Sequence, residues 1–182
     1  MGELTPKSPD YIAGHTSQQT HDDIAELLER LRRRPEIEAV SLSQNSYPYN
    51  GSNSGAEVSY DTLRSPGWTI RRLVTPDFPR VFRYRGTRGE TPEQLAEMLE
   101  RGEFMASDNL YRKYDCRMTD LVGQRFYLFG DTTKTYRLGA ALQNVRYHDY
   151  DQARSSYSMM VKQSFYYICL LYTSPSPRDG AT

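Results

Sequence analysis

The feature that most constrains this chain is a helix that ends at a proline and runs at once into a strand. Ile24, Leu27, Leu28 and Leu31 recur at the spacing that places apolar side chains on one helical face. Thr20 followed by Asp23 is a weaker form of the capping box that opens a helix. Pro35 disfavours helical geometry in the residue before it, so the helix should stop at Arg34. Ile37, Ala39, Val40 and Leu42 follow, a short apolar run with a β-branched start that predicts a buried strand. A helix that delivers its chain directly into a strand is half of a βαβ unit, and its apolar face requires a sheet to cover it.

The remainder is strand-rich. Residues 1–19 are polar, carry Pro6 and Pro9, and read as a loop or arm. Residues 43–55 are a loop by composition, with Asn50-Gly51 as a turn signal. Strands are predicted over 58–63, 68–74 and 80–84. A second helix is punctuated by Thr91 as cap, Pro92 at its first position, Gln94 completing a capping box, and Gly102 at the exit. Leu95, Met98 and Leu99 form its apolar face. Residues 107–114 predict one more helical segment, and 125–129, 135–142, 145–150 and 157–167 predict tyrosine-rich strands. No repeat or low-complexity tract interrupts residues 1–168. The fold class is therefore α+β.

At 182 residues and 37% hydrophobic content the chain can bury a core. Its 23 basic and 23 acidic side chains cancel, so no global field favours nucleic acid or an anionic membrane. No run approaches the roughly 20 apolar residues of a membrane-spanning helix, and the first twenty residues lack the apolar core of a secretory signal. His15, His21 and His148 have no partner at metal-ligand spacing and read as exposed polar positions. The string from Arg85 to Gly89 is glycine-rich, but it follows a predicted strand and lacks the lysine-serine ending of a phosphate loop, so it reads as a turn. Arg32, Arg33 and Arg34 end the first helix, where cations suit its dipole. No residue is assigned a catalytic, cofactor-binding or metal-ligating role, and no cofactor is expected.

The stretch from Cys169 to Asp179 reads CLLYTSPSPRD, eleven consecutive residues that resemble the translation of a transposase adapter used in sequencing libraries. Residues 169–182 are accordingly read as a foreign tail outside the fold. Cys116 is then the one native cysteine, and no intrachain disulfide is expected.

Two family resemblances follow from the motifs. The string from Val81 to Gly86 (VFRYRG) resembles the first-strand arginine region of ADP-ribosyltransferases, but the glutamate those enzymes need downstream is missing, since no glutamate follows Glu103. From Ile24 onward the order of features resembles the MacB-like periplasmic core domain of FtsX-like ABC-transporter permeases. The motifs are Pro35-Glu-Ile37-Glu-Ala-Val40, Val74-Thr75-Pro76-Asp77-Phe78, Ser107-Asp108-Asn109-Leu110, Leu121-Val122-Gly123-Gln124-Arg125-Phe126, and Tyr136-Arg137-Leu138-Gly139 followed by Val145-Arg146. Glu36 stands where the family has glycine, and Gly139 is displaced by one position.

That resemblance implies a domain between the first two membrane helices, with a porter-like part of two βαβ halves and a mainly antiparallel β insertion. Residues 20–55 would be the first porter-like half and 56–168 the insertion, with the second half beyond. It also implies a non-catalytic module in the periplasm, its parent in the inner membrane. Motion driven by a cytoplasmic ABC ATPase subunit would pass through it to a substrate or periplasmic partner, in a permease dimer and without nucleic acid.

With half of the porter-like part missing, the strand 37–42 is expected to be an unpaired edge. Leu27, Leu28 and Leu31 are expected to bury against it. Truncating Leu28 to alanine should then cost on the order of 2–5 kcal/mol, read from urea unfolding of variant and parent. An unchanged midpoint would remove the helix-on-strand packing.

Overall fold

The computed structural model describes residues 11–15, 21–43, 55–60, 67–128, 130–143, 157–161 and 167–172. Its strands are β1 (Tyr11–His15), β2 (Ile37–Ser43), β3 (Gly55–Ser59), β4 (Gly67–Val74), β5 (Phe104–Ser107), β6 (Arg125–Leu128), β7 (Asp131–Leu142), β8 (Tyr157–Val161) and β9 (Tyr167–Tyr172). Its helices are α1 (His21–Arg32), α2 (Phe78–Val81) and α3 (Pro92–Glu100), with 3-10 turns at Arg112–Tyr114 and Met118–Leu121. All nine strands join one hydrogen-bonded sheet, so the chain has the α+β fold that the sequence implies.

Six strands close on themselves. β3 pairs antiparallel with β4, β4 parallel with β8, β8 antiparallel with β5, β5 parallel with β7, β7 antiparallel with β6, and β6 antiparallel with β3. Because side chains alternate across a strand, such a ring has two apolar surfaces. Val58, Leu73, Phe104, Phe126, Leu128 and Leu138 share the inner cluster, which Leu110, Tyr111 and Met118 help to fill. Val74, Met105, Ala140 and Leu142 face the other way, onto Phe78 of α2, Tyr84, and Leu95 and Leu99 of α3. Leu138 and Ala140 would share a face in a regular strand. A register irregularity sets Phe104 opposite Leu138 but Met105 opposite Ala140, so Gly139 is an extra residue that switches the alternation.

A wing extends from the ring. β2 reaches β4 through the pair Ser43 and Val74, reinforced where Thr75 N–H donates to Leu42 C=O at 2.9 Å and Leu42 N–H donates to Thr75 Oγ1 at 3.0 Å. β9 lies between β1 and β2, antiparallel to both. Val40 and Leu42 face α1, where they meet Ile24, Leu28 and Leu170. Ala39 faces the opposite side, where Leu171 meets Val81 of α2. Arg32 at the end of α1 and Arg80 on α2 both pair with Asp77, at 3.3 and 3.0 Å, tying the two helices together.

Several expectations are corrected. Strand 37–42 is not an unpaired edge, because β9 occupies that edge from Ser43 opposite Tyr167 to Ile37 opposite Tyr172. Four residues of β9, Cys169 to Tyr172, come from the segment that the sequence reading set outside the fold; an apolar six-residue run suffices to satisfy the backbone of β2. Residues 80–84 do not form a strand. Pro79 stands at the start of α2, where its fixed φ favours a helical turn, and Arg83 takes the left-handed conformation at φ 52°. Residues 107–114 are helical only at Arg112–Tyr114. Leu28 is buried and Leu31 partly so, as expected, whereas Leu27 is only half-buried and lies outside the α1 cluster. The expected strand 145–150 lies outside the described residues.

The register places Ala13 directly opposite Cys169. Replacing Ala13 with cysteine in a Cys116→Ser background should therefore give an intrachain disulfide under mild oxidation, seen as a faster-migrating monomer on a non-reducing gel. Failure to form it would contradict the placement of β9.

Candidate functional site

Among the described residues, the loop between β5 and β6 carries a dense set of side-chain hydrogen bonds. Ser107, Asp108 and Asn109 are residue types whose side chains bond the local backbone and favour turns. Ser107 Oγ donates to Asn109 Oδ1 at 2.8 Å, and Leu110 N–H donates to Ser107 C=O at 3.2 Å, closing the first turn. Leu110 and Tyr111 then plunge into the ring, where the Tyr111 hydroxyl donates to the backbone carbonyl of Val58 at 2.6 Å. Asp115 reverses the chain in the left-handed conformation at φ 54°, and Met118 re-enters the core.

Asp108 holds the two arms of this loop together. Its carboxylate accepts from Thr119 N–H at 2.9 Å, Thr119 Oγ1 at 2.6 Å and Arg117 Nε at 2.8 Å. Its own N–H donates to Leu142 C=O on β7 at 3.0 Å, and its C=O accepts from Met118 N–H at 3.2 Å. Since the single Thr119 hydroxyl proton goes to Asp108, the 2.6 Å contact between Thr87 and Thr119 has Thr87 as donor. Arg88 adds a 2.6 Å bond to Thr119 C=O, so the turn at Thr87–Arg88 braces the loop from outside. Burial alone would raise the Asp108 pKa, but the bonds from Thr119 and Arg117 outweigh it and hold the carboxyl below its usual range.

An open cleft of about 210 Å³ lies on this loop, lined by Asp108, Asn109, Arg112, Asp115, Cys116 and Arg117. It is smaller than the roughly 300 Å³ at which ligand pockets begin, and suits a side chain better than a cofactor. Burial, and then the carboxylates of Asp120 and Asp108, push the Cys116 thiol up, which keeps it protonated and a poor nucleophile at neutral pH. Asp108 already accepts three hydrogen bonds and its pKa is lowered, which makes it a weak base. Arg112 and Asp115 form no ion pair with a described residue.

Where they are described, the histidines weighed in the sequence fall on separate elements. His15 lies in β1 and His21 opens α1, while His148 is outside the described residues. Among the described residues no three His, Cys, Asp or Glu side chains group to hold a metal. Gly86 bridges Leu142 and Gly89 closes a turn on Gly86 C=O, so the glycine-rich string is a turn, as read. Arg32 pairs with Glu29 and Asp77, and Arg34 with Glu36 at 3.0 Å. The Asp108 loop was missed, because its residues read as a helix; the Ser-Asp-Asn string was the available signal.

No family model matches the sequence, and neither does any curated protein. Among solved structures the chain is similar to a domain of a candidate permease protein from Porphyromonas gingivalis. The TM-score is 0.54 at 14% identity, over 81% of this chain and 62% of that one. At that identity the likeness is one of fold, and this chain spans less than two thirds of that domain.

Asp108→Ala should cost about 1–3 kcal/mol, since it leaves Thr119 and Arg117 donors without their acceptor. A carboxylate whose pKa is lowered on folding contributes stability above its unfolded pKa, and that contribution is lost as pH falls through the folded value. Chemical denaturation between about pH 6 and pH 2 should thus show a decline in the parent that is shallower in Asp108→Asn. Identical pH profiles would show that folding leaves the Asp108 pKa unshifted, and would contradict the hub.

Proposed function

We infer that this chain is part of the extracytoplasmic domain of an ABC-transporter permease of the MacB/FtsX-like kind. The observation that carries this reading is the fold shared with the permease domain from Porphyromonas gingivalis over 81% of the chain. The ordered motifs from Pro35 to Val145 support the narrower family. In this reading the module is non-catalytic. A cytoplasmic ATPase hydrolyses ATP, membrane helices outside this sequence move, and the domain passes that motion to a substrate or partner in the periplasm.

The architecture suits such work. A closed ring leaves none of its own strands without two neighbours, and α3 and α2 brace its outer face, so a displacement applied at the wing is carried rather than absorbed. No helix among the described residues is long and apolar enough to cross a membrane, so the membrane segments of this reading lie elsewhere in the parent protein.

The parent gene tests the proposal. It should encode an apolar stretch of about 20 residues on each side of the region corresponding to this chain, with an ABC ATPase gene nearby. A parent lacking both stretches would overturn it in favour of a soluble secreted binding module. Titration of the chain with a fluorescent ATP analogue should show no saturable binding, and turnover of NAD with labelling of a protein target would favour the ADP-ribosyltransferase resemblance instead.

A further inference from the structure

Tyr114 is the large apolar side chain that stands exposed among the described residues, at 47% of its surface. It sits on the Asp108 loop, in the same turn as the cleft residues Arg112, Asp115 and Cys116. Its ring lies 6.2 Å from that of Tyr111, which is fully buried and bonded to Val58, so Tyr114 projects from an anchored base. Tyrosine and arginine are enriched where proteins meet, tyrosine because its rigid ring offers a large contact area at low entropic cost, arginine because its planar guanidinium makes directed bonds. A loop already fixed by hydrogen bonds loses little freedom on binding.

The charges say what would bind. Arg117 is committed to Asp108, whereas Arg112 forms no ion pair with a described residue and opens onto the cleft. An exposed guanidinium next to a cleft of side-chain volume matches a carboxylate that can accept two parallel bonds. We propose that the Tyr114–Arg112 face of this loop is a docking site for a segment of a partner protein. That segment inserts an acidic side chain into the cleft and lays an apolar neighbour on the Tyr114 ring. Asp108 and Asp115 line the same cleft and disfavour dense negative charge, so a single acidic residue is favoured over a run. The site stands independently of the permease reading.

The test uses the full chain, isotope-labelled, and two capped tetrapeptides, Gly-Phe-Glu-Gly and Gly-Phe-Gln-Gly. Amide shifts should move within residues 108–117 on addition of the glutamate peptide, with binding about threefold or more weaker for the glutamine peptide. Arg112→Gln should remove that difference between peptides, and Tyr114→Ser should weaken both. Both side chains are exposed, so the variants should retain the parent's spectrum elsewhere. No shift changes at millimolar peptide, changes outside the loop, or equal response to both peptides would overturn the proposal. Concentration-dependent shifts of the loop without peptide would overturn it in favour of a second copy of the chain as occupant.

Discussion

The structure depends on the backbone pairing that β9 gives to β2. A strand buried under two helices cannot leave a row of N–H and C=O groups unpaired, since water does not reach them. β9 supplies those partners along one side of β2 and offers its other side to β1. It also completes both faces of the layer, with Leu170 in the α1 cluster and Leu171, 3% exposed, against Val81 of α2. The helix-to-strand unit at residues 21–43 is local in sequence, yet its stability is borrowed from the far end of the described chain. Closing that long loop costs entropy, which the apolar contacts on both faces must offset.

The ring is organised by a second constraint, at Gly139. The extra residue there turns Leu138 inward and Ala140 outward, so a single strand serves two cores. A Cβ at position 139 would meet the Glu103 carboxylate and lie 3.1 Å from Glu103 Cβ and 3.3 Å from Met98 Cβ, so a side chain there forces these neighbours to shift. Glu103 is held over this bulge by Arg137 at 2.7 Å and Arg101 at 3.3 Å. Beyond the bulge, Leu142 C=O accepts from Asp108 N–H, so the geometry that splits the two cores also seats the Asp108 loop. Packing and recognition surface are therefore coupled through β7.

Much of this was legible. The capping box at Thr91 and Gln94 and the exit at Gly102, with φ 77°, stand where the sequence placed them, because caps are local chemistry. The strands at 37–43, 67–74 and 125–128 followed from β-branched and aromatic runs. Residues 80–84 misled because Val81, Phe82 and Tyr84 are good strand formers, and the proline before them decided the matter. The pairing of β9 was not legible, since nothing local distinguishes a strand that finds a distant partner from a tail that does not. The ring was also hidden, because its parallel pairs join strands distant in sequence. At the Asp108 loop the composition favoured turns, but only the fold could bring Thr87 and Thr119 together.

A body of this kind has a closed ring as its rigid part and a wing whose integrity rests on one inserted strand. The most direct measurement is amide hydrogen exchange on the parent and on Leu171→Asp, which places an unpaired charge between β9 and α2. If β9 completes the wing, amides of β1, α1 and β2 should lose protection together in the variant while those of β3 to β7 keep theirs. Protection of β2 that survives the substitution, or a uniform loss across wing and ring, would contradict the account.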